Sequence, residues 1–230
     1  MSRQERAVHT RNALLRSAAE LFDQHGYART LLSEISSAAG VSTGALHFHF
    51  ESKAALAEAV EDAAARTLRA AARWACQDQP NVLQALTDSA HVFARLLHQD
   101  IIVRAGFQLA CDPSRRSGLN LLEECRGWVR NMLDRAARQG ALAPGASPQD
   151  LAAALVATMT GLEVLSRDNE KWLSRSALTD VWCLVLPGVT SPRGHKTVDP
   201  AGTDSAVRGV GALSGGCQPA AERSSTGSAR

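Results

Sequence analysis

The sequence predicts an all-α fold in two parts, a small N-terminal helical unit and a larger helical bundle. Three observations lead there. Strand signals are nearly absent, with a single Tyr and little alternation of β-branched and polar residues. Ala and Leu dominate, and apolar residues recur three and four apart. Gly and Pro interrupt this pattern at intervals that suit helix ends. The chain has 230 residues, 45% of them hydrophobic, which is enough for a core and too many for a disordered chain.

Residues 9–25 carry Ala13, Leu14, Ala18, Leu21 and Phe22 on one stripe, and Gly26 is placed to end that helix in the left-handed conformation. Two short helical pieces follow within residues 33–50, around Ala39-Gly40-Val41. A long helix is predicted from Ser52 to Cys76, closed by the turn at Pro80-Asn81. Further helices are predicted over about 81–98, 100–111, 118–139, 148–166 and 172–186. Residues 188–230 hold 8 Gly, 6 Ser and 3 Pro, a composition that predicts a solvated, disordered tail. The expected organisation is therefore 1–51, 52–187 and a tail 188–230.

The net charge of +2 argues against a histone-like tail or a polybasic membrane anchor, but leaves room for a small basic face. There is no run of about 18 apolar residues to span a membrane. The polar opening MSRQERAVHT lacks the apolar core of a secretory signal, so a cytoplasmic location is expected. Cys76, Cys111, Cys125, Cys183 and Cys217 are scattered and odd in number, which predicts buried, reduced thiols. No metal site and no cofactor is expected. The sequence contains no GxSxG, P-loop or HExxH, and Glu123 and Glu124 diverge around their helix, so no enzyme is predicted.

The informative stretch is Leu32 to Phe50, LSEISSAAGVSTGALHFHF. Ser33 is positioned to cap a short helix whose Ile35, Ala38 and Ala39 face inward. Gly40 supplies the positive φ of a tight turn, and Val41 fills the angle between two helices. Ser42 or Thr43 caps the second helix, and Leu46 and Phe50, four apart, point into the core. Ser42, Thr43, Gly44, His47 and His49 are left facing outward. This is a helix-turn-helix pattern, whose second helix enters the major groove of DNA. Gly44 costs about 1 kcal/mol inside a helix relative to Ala, which asks for a reason such as close approach to a phosphate or base edge. The hydroxyls of Ser42 and Thr43 beside free helix N–H groups form a phosphate clamp. Lys53 adds a cation just past the recognition helix, and Arg3, Arg6 and Arg11 decorate the first. His47 and His49, two apart, cannot share one helical face, so they form no metal site. His91 and Asp88, three apart, are expected to make at most a surface pair.

Residues 9–56, with AGVSTGALHFHF followed by Ser52-Lys53, resemble the TetR family of one-component repressors. RQERA at 3–7 and the segment FDQHGYARTLLSEI are similar to a narrower group, the γ-butyrolactone autoregulator receptors and pseudo-receptors of Streptomyces-like bacteria. The family usually has Tyr where this chain has His47. The resemblance implies a homodimer bound to palindromic double-stranded DNA, released by a small apolar effector such as a γ-butyrolactone or a pathway product. It also implies that Trp128 contributes an indole to the effector pocket and that Thr160 reads an oxygen of the effector. Several of these receptors carry a glutamine early in the long linker helix, where this chain reads Glu61-Asp62-Ala63.

The bundle adds its own signals. Trp128 and Met132, four apart, lie on one face, and with Phe107 they complete the expected ligand-binding set. The 148–166 helix, with LAAALVATMTGLEVL, is apolar enough to require cover on all sides, by its own bundle and by a partner chain. Thr158 and Thr160 either bond back to the carbonyl four residues earlier or orient a ligand. Trp172 and Trp182, with Leu178, Val181 and Val185, suit a homodimer seam. The competing expectation is a helix-turn-helix protein with no small-molecule effector.

Overall fold

In the computed structural model, residues 2–77, 79–115 and 121–208 are described. They form helices α1 (Arg3–Arg29), α2 (Leu32–Ala38), α3 (Thr43–His49), α4 (Lys53–Cys76), α5 (Val82–Gln99), α6 (Ile101–Cys111), α7 (Leu121–Arg138), α8 (Pro148–Ser166), α9 (Arg175–Val189), α10 (Pro192–His195) and α11 (Asp204–Arg208), with a 3-10 turn at Glu170–Leu173. The first helix starts earlier than its apolar stripe because Ser2 and Glu5 close a reciprocal capping box, with N–H to oxygen distances of 3.1 and 2.7 Å. Gly26, at φ 73°, breaks its helical geometry without ending it, and one more turn carries the chain to Arg29.

The predicted cap of α2 is corrected. Leu31 occupies that position, and its N–H donates to the Glu34 carboxylate at 2.9 Å, while Ser33 lies inside the helix. Ala38 is exposed, and Ser36 takes the buried place beside Ile35. The Ser36 hydroxyl donates to the Ser33 carbonyl at 3.0 Å, which satisfies it locally. Gly40 has the positive φ expected of the turn, 67°.

Leu14, Ala18, Phe22, Ile35, Leu46 and Phe50 form the head's core, which continues into Leu56 and Val60 of α4 and Ala105 and Leu109 of α6. The head thus shares its apolar centre with the bundle. α4 and α6 pack so closely that a Cβ on Gly106 would stand 2.4 Å from that of Ala64. α8 packs one face into its own bundle, burying Ala152, Leu162 and Glu163, and leaves the other free, with Val164 and Leu165 exposed. Leu178 and Trp182 are buried in the chain's own core, so they form no seam, whereas Trp172 and Leu184 stand outside, Leu184 at 82% exposure.

The tail reading is corrected in its first half. α9 runs through Pro187 to Val189; Thr190, Ser191 and Gly194 then pack on Gly140, Ala141 and Leu142, and the chain from Thr197 onward docks on α5 and its cap. The Gln84 side chain exchanges hydrogen bonds with the backbone of Asp199, at 2.6 and 3.3 Å. Asp88 accepts from the Thr203 N–H and hydroxyl, both at 2.8 Å, and the His91 Nε2 lies 2.9 Å from the Pro200 carbonyl. Gly202 packs flat on the His91 ring, where a Cβ would come within 2.8 Å. Asp88 and His91 are therefore buried partners of the C-terminal segment, not a surface pair. The part of the expected tail beyond 208 lies outside the described residues. Among the described cysteines, Cys76, Cys111 and Cys125 are half-buried, but Cys183 is exposed; Cys217 lies outside the described residues.

Candidate nucleic-acid interface and apolar cavity

The α3 helix is anchored from beneath by Leu46 and Phe50, which are buried at 0% and 5% exposure. The Ser42 hydroxyl caps it, accepting from the Ala45 N–H at 3.1 Å. Ser42, Thr43, Gly44 and His47 are exposed along one edge. His49 is half-buried, its ring edge-on to Phe48 at 5.2 Å between centroids. A Cβ on Gly44 would find only the Ser42 hydroxyl, at 3.9 Å, so nothing inside the chain demands glycine there. The Arg11 guanidinium lies 5.2 Å from the Phe50 ring, which brings a cation of α1 beside the end of α3.

Phe48 escaped the sequence reading. It is 79% exposed on α3, an apolar ring presented to solvent between His47 and His49. Its signal was the position two residues from both Leu46 and Phe50, which turns it about 200° round the helix from the core stripe. An exposed ring on such a helix suits contact with a thymine methyl.

Lys53 is placed differently from expectation. Its ammonium donates to the carbonyls of Tyr27, Ala28 and Thr30, at 2.9, 3.2 and 3.0 Å, and sits 4.6 Å from the Tyr27 ring centroid. Three carbonyls use all three of its N–H donors. Lys53 caps the end of α1 and ties it to α4, and it is not a free cation beside α3.

Trp128 and Phe107 meet in an apolar cavity between α5, α6, α7, α8 and α9. Phe93, Met159, Leu162 and Trp182 complete much of its wall. These four could be found only once the helices were packed, because they come from three separate elements. Thr160 is not among the wall residues. It faces a groove between α7 and α8, and its hydroxyl donates to the Val156 carbonyl at 2.9 Å. Two residues turn a helix by about 200°, so Thr158 lines the cavity in its place. The Thr158 hydroxyl donates to Ala154 at 2.8 Å, leaving its lone pairs to accept from a ligand. Met132 is buried behind Trp128 on the side of a second space, a groove against α4. Cys125 also lines the cavity, and burial pushes its thiol up to about 12, so it serves as an apolar group.

Two polar networks connect bundle and head. Asp23 of α1 accepts from Arg104 at 2.9 and 3.2 Å and from Gln108 at 3.0 Å; the same amide donates to Glu163 of α8 at 3.3 Å. Glu163 is fully buried and is also held by Arg167 at 2.8 Å. Glu61, fully buried on α4, accepts from Arg115 at 3.2 Å, and that guanidinium lies 4.7 Å from the Tyr27 ring centroid.

A helical head with an exposed recognition helix, joined to a bundle that holds an apolar cavity, defines a one-component regulator. Residues 14–60 match the bacterial regulatory proteins of the tetR family. The A-factor receptor protein of Streptomyces griseus is 30% identical over 203 residues, which are 88% of this chain and 71% of that protein. The chain belongs to the tetR family. It is similar to the crystal structure of a gamma-butyrolactone receptor described as ArpA-like, with a TM-score of 0.73 and 30% identity over 85% of this chain and 95% of that one. It is likewise similar to CprB from Streptomyces coelicolor, solved with its biological operator sequence, with a TM-score of 0.71 and 30% identity over 91% of this chain and 98% of that one.

Proposed function

We propose that this protein is a ligand-responsive transcriptional repressor that holds a palindromic operator and lets go when a small apolar molecule enters the cavity. The observation that carries the reading is Gly44. It sits exposed on a well-capped helix where the protein itself has room for a side chain, so the surface is shaped for something outside the chain. Ser42, Thr43, His47 and Phe48 give that surface hydroxyls, imidazole and an apolar ring for phosphates and base edges.

The free apolar faces of α8 and α9, with Val164, Leu165 and Leu184 outward, support a homodimer. Two-fold symmetry would set two recognition helices about 34 Å apart, or a small multiple, and so select an inverted repeat. The cavity favours the effector-responsive reading over a DNA-binding protein without an effector. The similarity to a gamma-butyrolactone receptor supports a lactone-like effector or a pathway product. Among the described residues no helix is long and apolar enough to cross a membrane, in keeping with a role at DNA.

A gel-shift series tests the reading. The full chain should retard duplexes with inverted repeats from its own promoter region, and a lactone series or host culture extract should release them. Failure to bind any such duplex defeats the repressor reading, and binding that no ligand disturbs leaves the effector-free alternative.

A further inference from the structure

Across Trp128 from the apolar cavity lies a groove between α4 and α7. Phe93, Cys125 and Trp128 line both spaces, so the two adjoin through one aromatic partition, whose rings stand 6.0 Å apart at a tilt of 33°. The groove floor is apolar, with Leu68, Leu121 and Met132. Its rim carries three guanidinium groups, Arg69, Arg73 and Arg135, against a single carboxylate, Glu124. Arg69 and Glu124 satisfy each other in a two-armed pair, one arm at 2.6 Å. Arg73 and Arg135 are exposed and have no carboxylate partner among the described residues; Arg135 reaches only the Met132 sulfur, at 3.8 Å. The neighbouring Asp134 is turned to Arg130 at 3.8 Å.

We infer that the effector is an apolar acid, whose carboxylate rests on Arg73 and Arg135 and whose tail reaches past Trp128 into the cavity. The inference rests on the effector-responsive reading and narrows its ligand from a small apolar molecule to an anionic amphiphile. Two unpaired guanidinium forks above an apolar floor fit a carboxylate with a hydrocarbon body, because planar forks match carboxylate oxygens two at a time. A neutral lactone would leave both arginines without an anion.

Decanoate and 1-decanol are the probes, because they share a tail and differ in head charge. Binding is read by tryptophan fluorescence without DNA, with Trp128→Phe assigning the signal. The full chain should bind decanoate about tenfold or more tightly than decanol, the gain expected of a charge-assisted pair. R73Q/R135Q should bring the two affinities together, and R73K/R135K should keep part of the preference. Both arginines are exposed, so circular dichroism should show these variants folded. Equal affinities in the wild type, or an undiminished preference in R73Q/R135Q, overturns the inference. Operator release is measured separately. Arginine-dependent decanoate binding that leaves the operator complex intact upholds the site and defeats the effector reading. Release by a neutral lactone with no preference for decanoate does the reverse.

Discussion

Gly44 and Phe50 lie six residues apart in one motif and answer to different physics. A side chain at Gly44 has open space inside the protein, and removing glycine from a helix gains up to about 1 kcal/mol. Gly44→Leu should therefore melt at the same temperature as wild type or slightly higher, yet lose operator binding in a gel shift. Phe50 is buried in the head's core, so Phe50→Ala should lower unfolding free energy by about 3–5 kcal/mol in a urea titration. Both residues were legible in the sequence, because core spacing and glycine placement are local signals. Lys53 was not. The carbonyls it caps are gathered where α1 breaks at Gly26, and that gathering arises only when α4 packs beside α1. Thr160 failed for a related reason: a helix shows which residues share a face, while the neighbouring helices decide what each face meets.

At the scale of elements, helix spans were read closely where caps and periodicity agree, as in α4, α5 and α8. The C-terminal segment was not, because its glycine, serine and proline content resembles a linker while its partners on α5 lie more than a hundred residues away. Removing it takes the Pro200 carbonyl from His91 and leaves Gln84 and Asp88 with only the 2.8 Å bond they make to each other. A chain truncated after Pro187 should unfold several degrees lower, since each buried polar group left without a partner costs about 1–3 kcal/mol. Burial holds the His91 pKa below its ordinary 6.5, with the Pro200 hydrogen bond and the field of Asp88 opposing. The folded state therefore favours neutral imidazole, and the unfolded chain takes up the proton more readily. Stability contributed at this site is whole above about pH 6.5 and declines as pH falls through that value toward the lower folded one. Melting temperatures measured between pH 7.5 and 5.5 should show this slope, and His91→Gln, which can still donate to the Pro200 carbonyl, should flatten it.

For the whole molecule, the question is how an occupied cavity reaches a head that shares its core with α4 and α6. α6 presents Phe107 to the cavity and Gly106 to α4, and it sends Arg104 and Gln108 to Asp23 of α1. Gln108 also holds Glu163, one turn along α8 from Met159 in the cavity wall. A ligand that moves α8 or α6 thus pulls on α1 through hydrogen bonds that are already made. A ligand shifts DNA affinity only by its difference in affinity for the two arrangements, and a hundredfold release requires about 2.7 kcal/mol of coupling. Two hydrogen bonds to charged carboxylates, each worth about 1.5–3 kcal/mol, are of the size needed to carry it. Gln108→Leu keeps the volume and removes both bonds. It should bind operator and ligand separately with near-normal affinity, while the ligand-induced loss of operator affinity shrinks by about tenfold or more. A full hundredfold release in Gln108→Leu would show that the coupling does not pass through these two bonds, which leaves the Arg104–Asp23 and Glu61–Arg115 pairs and the close contact of Gly106 with Ala64 to carry it.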